Sequence, residues 1–157
     1  MNDEDIDVIH WNAGIWDCLR LFEEEPHTPV EIYDYYIERI CIKIKKLCPN
    51  AEVIFATTTK VLSEKMIKQF MRLNENIEKY NEVAVVIVKR YGFKVNDLYL
   101  LSQSLPENAH SDGTHYYTSI GAKAFVEEVL AYVSPLLDLD NVPEYNEVLY
   151  LDDPVKI

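Results

Sequence analysis

Hydrophobic positions follow two different periods along this chain, and the way those periods alternate predicts the fold. Asp7-Val8-Ile9-His10-Trp11 is a short β-rich run ending at Asn12-Ala13-Gly14, which predicts a buried strand followed by a turn. A linker with Glu23, Glu24, Glu25, Pro26 and His27 comes next. Thr28 then offers a cap, Pro29 suits the first helical position, and Glu31 completes a capping box. Ile32, Tyr33, Tyr36, Ile37, Ile40, Ile44 and Leu47 recur at helical spacing, and Cys48-Pro49-Asn50 ends the helix. Glu52-Val53-Ile54-Phe55-Ala56 predicts a second buried strand running into Thr57-Thr58-Thr59. A polar helical stretch is expected from Ser63 to Leu73. It leads into a longer helix whose apolar face carries Ile77, Tyr80, Ala84, Ile87 and Tyr91, with Gly92 as its C-terminal glycine. Phe93 to Tyr99 reads as a third, shorter strand with its loop, and Ser102 to Thr118 as a long polar loop. A last helix starts near Thr118 and turns Ala124, Phe125, Val129 and Val133 inward. Beyond it, residues 138–157 are acidic, contain Pro143 and Pro154, and show no period.

Strand and helix thus alternate three times, which implies an α/β fold with a parallel sheet covered by helices. In such sheets function collects in the loops after the carboxyl ends of the strands. Those loops begin here at Asn12, Thr57 and Asn96, joined by the segment around Asp112.

Composition narrows the function classes. Hydrophobic residues make up 48% of the 157, which argues against a disordered chain and allows one domain with a sizeable core. The net charge is −12, and the only local concentration of basic residues is Lys43, Lys45 and Lys46. Nucleic acid and anionic membranes are therefore not expected as partners. Apolar runs such as Val83 to Val88 are too short to span a bilayer. Met1 is followed by Asn2, Asp3, Glu4 and Asp5, the opposite of a basic leader, so a cytoplasmic location is expected. Cys18, Cys41 and Cys48 are odd in number and lack zinc-like spacing with histidine; three free, mostly buried thiols are expected.

Two segments carry candidate chemistry. Asp112 and His115 lie three residues apart in a loop opening onto a helix. A carboxylate there can fix the tautomer of the imidazole, leaving its other nitrogen as a general base. The same residues read equally as a turn at Asp112-Gly113 with a surface histidine. Asn12, just after a buried strand, can aim its amide at a developing oxyanion, or simply serve the Asn-Ala-Gly turn.

Taken together the segments resemble the SGNH (GDSL-type) ester hydrolases. Asp7 to Asp17 resembles the third sequence block of that family, in the variant with His10 where the block has glycine, and Asn12 falls on its oxyanion asparagine. Ser111 to Thr118, followed by Gly121, resembles the fifth block, with Asp112 and His115 on the catalytic acid and base. Val53 to Thr59, Tyr80-Asn81 and Val95 to Tyr99 look like one bacterial branch. The resemblance extends to about Tyr132. It implies a three-layer, flavodoxin-like sandwich, here lacking its first strands, over residues 1–137, with 138–157 as an acidic tail.

What the resemblance implies chemically is acyl transfer to serine without metal or cofactor, on a small acyl ester or an acetylated carbohydrate. One departure is large. The Gly-Asp-Ser of the first block and the glycine of the second have no counterpart among Gly14, Gly92, Gly113 and Gly121. No nucleophile is assigned; Ser111 is not one, since nothing around it resembles a strained, exposed turn. Little or no esterase activity is expected of the chain alone, and a non-catalytic binding remnant is the rival reading. In the family sheet the strand of the third block lies beside the first strand, so strand 7–11 is expected to present an open edge. Self-association or a partner chain through that edge follows as an expectation, unless Val148 to Leu151 of the tail folds back over it. Milder readings apply elsewhere: His10 as a packed histidine, Trp11 and Trp16 as cleft wall or core, His27 and His110 as exposed, and the 11 tyrosines as amphipathic packing.

Overall fold

The computed structural model describes residues 6–22 and 24–137. In chain order the elements are β1 (Val8–Trp11), β2 (Arg20–Leu21), α1 (Val30–Leu47), β3 (Glu52–Ala56), β4 (Phe70–Met71), α2 (Asn74–Arg90), β5 (Lys94–Asn96), α3 (Leu98–Ser104) and α4 (Ser119–Val133). β1, β3 and β5 form a parallel sheet in that order, with His10 beside Ile54, Trp11 beside Phe55, and Ala56 beside Asn96. The architecture is α/β, as the alternation of periods predicts.

β3 is the centre of the sheet because Val53, Ile54, Phe55 and Ala56 are all buried, as a strand covered on both faces must be. Its side chains alternate. Val53 and Phe55 join the main core with Tyr33, Ile37 and Cys41 of α1 and Ile77, Tyr80, Ala84, Ile87 and Val88 of α2. Ile54 and Ala56 face the other way. The strand order advances in one direction, so right-handed crossovers place α1 and α2 on the same face. The Tyr33 and Tyr80 rings meet at 4.9 Å, and the Tyr80 hydroxyl donates to the Thr28 carbonyl. Gly92, at φ 73°, lets α2 close with amides 92 and 93 donating to the Lys89 and Val88 carbonyls.

Several local expectations are corrected. α1 starts at Val30 with Pro29 as its cap residue and no side-chain cap, so the Thr28/Glu31 capping box does not form. The Pro29 carbonyl instead accepts from the amides of Ile32 and Tyr33, and tertiary bonds hold Thr28. The buried stripe of α1 is narrower than its sequence period, since Ile32, Tyr36 and Leu47 are exposed. The stretch Ser63 to Leu73 is not helical. It is a single 3-10 turn at Ser63–Lys65 followed by β4, which pairs antiparallel with β2. Phe93 to Tyr99 is half strand and half helix: β5 ends at Asn96, Asp97 caps α3, and α3 takes in Leu98-Tyr99 and runs into the first three residues of the expected loop from Ser102. α4 begins after Thr118, whose hydroxyl accepts from the Gly121 amide, as expected. Of its residues only Gly121 is buried, so Ala124, Phe125, Val129 and Val133 are only partly covered. The acidic tail and its Val148 to Leu151 run lie outside the described residues.

Candidate active site

The carboxyl ends of β1, β3 and β5 deliver Asn12, Thr57 and Asp97 to one edge of the sheet. The loop between α3 and α4 returns across this edge. Its Gly113 carbonyl accepts from the Leu62 amide at 2.8 Å, and the Tyr116 hydroxyl donates to the Lys60 carbonyl at 2.8 Å. Asp112 immediately precedes the first anchor and His115 the second.

Asp112 binds its neighbour twice. One carboxylate oxygen accepts from the backbone amides of Thr114 (2.6 Å) and His115 (2.8 Å), and the other meets His115 Nδ1 at 2.7 Å. Partial burial resists ionisation of Asp112, but the bonds from the His115 ring and the two amides prevail and hold its pKa at about 2. The carboxylate is thus ionised near neutrality and can only accept. Nδ1 is therefore the donor, and in the neutral form of the ring it is Nε2 that keeps the lone pair. Both side chains are about half exposed, 49% for His115 and 54% for Asp112, so the imidazole is accessible. The Tyr117 ring stacks on His115 at 4.9 Å and 15°. Ser111 spends its hydroxyl on loop closure, donating to the His115 carbonyl and accepting from the Tyr117 amide.

Asn12 is exposed at the end of β1. Among the described residues its side chain bonds neither Asp112 nor His115. What links them is the segment 57–62, which touches Ala13 through Thr58 Oγ1 (3.1 Å) and the dyad loop through Lys60 and Leu62. His10 is half-buried and its Nε2 lies 3.4 Å from the Asn96 amide, the packed role expected of it. Trp11 packs edge-on against Phe55, whereas Trp16 is 67% exposed over Arg72, so it is not a core residue. His110 corrects an expectation: it is half-buried, its ring tilted 37° against that of Tyr116 at 3.9 Å, with Nδ1 unpartnered among the described residues. His27 is exposed.

A groove of about 400 Å³ between α1 and α2, lined by Val30, Val83, Val86 and Ile87, lies on the outer helical face. It also carries Glu31, Asp34, Glu82 and Arg90 but no histidine, serine or cysteine, and it lies away from the strand ends, so it is not the site. Among the described residues no cluster of His, Cys, Asp or Glu could hold a metal ion, and no helix is long and apolar enough to cross a membrane.

No family model matches the chain. A GDSL esterase/lipase of Oryza sativa subsp. japonica is 30% identical over 115 residues, an overlap covering 67% of this chain and 44% of the relative. The lipase/acylhydrolase from Enterococcus faecalis superimposes with a TM-score of 0.60 at 19% identity, over 88% of this chain and 65% of that one. The chain is a partial homologue of a GDSL esterase/lipase and has the SGNH hydrolase fold. An acetylxylan esterase from Geobacillus stearothermophilus, solved as a catalytic mutant, shares the SGNH fold with a TM-score of 0.58 at 19% identity, over 78% of this chain and 59% of that one. The chain therefore spans less than half of its curated SGNH relative and about three-fifths of these solved SGNH structures.

Sequence reasoning placed Thr57, Asn81 and Asp97 in segments resembling the family but gave them no role, and it missed Asn74 and Ser102; all five brace this SGNH edge. A signal existed for two of them. Asn74 and Asn81 fall in step with Ile77, Ala84 and Val88 on the apolar stripe of α2, where an amide needs a buried partner.

Proposed function

We propose that the chain supplies the acid–base half, and one oxyanion donor, of an SGNH-type ester hydrolase site. The observation that carries this reading is the 2.7 Å bond from Asp112 to His115 Nδ1, which leaves Nε2 as a base on an accessible ring. In the reaction His115 Nε2 takes the proton of a serine hydroxyl as its oxygen adds to the ester carbonyl. Asp112 stabilises the resulting imidazolium, and His115 returns the proton to the leaving alcohol. Asn12 donates to the tetrahedral oxyanion. Water then releases the acyl group by the same proton path. The substrate class is a small acyl ester, with an acetyl group on a carbohydrate first, a choice supported by the acetylxylan esterase among the structural neighbours.

These 157 residues contain no Gly-Asp-Ser, which favours a second reading: a family member that binds an ester or a partner without turning it over. One experiment separates the two. The chain is assayed on a chromogenic acetyl ester, alone and fused behind a segment that supplies a β-strand followed by Gly-Asp-Ser, the family's first block. Hydrolysis should be at background for the chain alone and appear in the fusion. It should vanish with His115→Ala and fall about 10²–10³-fold with Asn12→Ala. A folded fusion without activity favours the binding reading. Hydrolysis that survives His115→Ala overturns the site.

A further inference from the structure

We infer that segment 57–62 is a positioning strap that couples Asn12 to the Asp112–His115 dyad, and that Asn74 and Asn81 of α2 lock it in place. Its purpose rests on the hydrolase reading; its geometry does not. The strap is neither helix nor strand, yet Thr57, Thr58, Val61 and Leu62 are buried. Buried backbone groups without a ladder need other partners. Here two amide side chains imitate a neighbouring strand. Asn81 Oδ1 accepts from the Thr58 amide at 2.8 Å, and its Nδ2 donates to the Thr58 carbonyl at 2.9 Å. Asn74 repeats the pair on Val61, at 2.9 and 3.0 Å.

The spacing explains why both clamps fit. Seven helical residues separate Asn74 from Asn81, a rise of about 10.5 Å on one face. Three extended residues separate Thr58 from Val61, a reach of about 10 Å. The two repeats match, so α2 reads the strap at two points without strain.

The other side of the strap reaches every loop of the candidate site. Thr58 Oγ1 donates to the Ala13 carbonyl, next to Asn12. The Leu62 amide donates to the carbonyl of Gly113, between Asp112 and His115. The Lys60 carbonyl accepts from Tyr116, next to His115, while the Lys60 amide donates to Ser102. Packing is close: a Cβ on Gly14 would lie 2.6 Å from Thr58 Oγ1, and one on Gly113 would lie 3.2 Å from the Leu62 carbonyl. A shift of the strap therefore moves the oxyanion residue and the base together. Asn74 and Asn81 are positioning residues, acting through the strap.

The test uses the chain as it stands. Asn81→Leu, Asn74→Leu and the milder Asn81→Asp, which keeps the acceptor and loses the donor, are compared with Val86→Thr, a surface change on the same helix. Amide exchange and the carboxyl titration of Asp112 are followed by NMR. Each clamp variant should lose about tenfold or more of the exchange protection at Thr58, Val61 and Leu62. The Asp112 titration should rise from about 2 toward the ordinary 3.8, and the Asn12 and Ala13 resonances should move with it. Ile9 and Val53, in the β1–β3 ladder, should keep their protection, as should Val86→Thr throughout. If the leucine variants do not fold, Asn81→Asp carries the comparison. Folded clamp variants in which Asp112 and Asn12 behave as in the parent overturn the inference. A failed esterase fusion leaves these readings untouched, so the two proposals fail separately.

Discussion

His110 and Asp112 stand two residues apart and respond to acid in different windows. Burial lowers the pKa of His110, helped by Lys60 and Lys65 and opposed by Asp112 and Glu64; burial also lowers that of His10. Both rings stay neutral in the folded chain at a pH where the unfolded chain already takes up protons. Stability tied to them is present above about pH 6.5 and is lost as the pH falls through their folded values. The Asp112 carboxyl is lowered as well, to about 2, so its contribution persists to about pH 4 and disappears between there and pH 2. Its half exposure keeps that second contribution modest. Urea midpoints measured from pH 7.5 to 5 should fall, and His110→Gln should flatten the slope; an unchanged slope assigns the effect elsewhere. Asp112→Asn should leave the fold intact and free the tautomer of His115, cutting the activity of the serine-bearing fusion by about 10⁴-fold. These residues were legible in the sequence because the whole Asp112-to-His115 relation lies within one loop, with its bonds three residues apart. The clamps on the strap were not, because their bonds span 13 and 23 residues and involve backbone groups that no composition reveals.

Among the elements, α4 makes the sharpest demand on a single position. A Cβ on Gly121 would lie 2.5 Å from the Ala109 carbonyl and 2.7 Å from that of Tyr116. Alanine in a helix gains up to about 1 kcal/mol over glycine, but forcing two backbone carbonyls apart costs about 1–3 kcal/mol. Gly121→Ala should therefore destabilise, and because both carbonyls belong to the dyad loop, thermal unfolding should show the loss together with weakened protection at His115. A melting temperature raised by the substitution would refute this. The longer elements were predictable because their periods run over many residues: α1 and α2 have 18 and 17. α3 has seven, too few to display a period, and it begins at Leu98-Tyr99, which reads as strand. The segment Ser63 to Leu73 has helix-forming composition, but Phe70-Met71 pairs with Arg20-Leu21, and a tertiary partner overrides local preference.

At the scale of the whole molecule, β1 pairs with β3 on one side, and among the described residues no strand pairs with its other side. Its four residues are only half-buried, and α4 is covered only in part. We propose that this edge recruits a second copy of the chain or a separate strand, because an unprotected, apolar edge gains by pairing. Sedimentation at micromolar concentration should show association that Val8→Lys weakens; a monomer unaffected by that change would remove the proposal. The thiols offer an independent view of the same molecule. Cys18 and Cys41 are fully buried and Cys48 nearly so, and burial pushes Cys18 up to about 12 and Cys41 up to about 11. Neither of the first two forms a thiolate near neutrality, so alkylation must wait for the chain to open. Labelling by iodoacetamide then becomes a clock for opening: Cys18, packed behind the Asn12 loop, and Cys41, in the middle of α1, time two different regions. Equal rates mean that the chain opens as one cooperative unit, whereas faster labelling of Cys18 means that the edge bearing Asn12 breathes on its own.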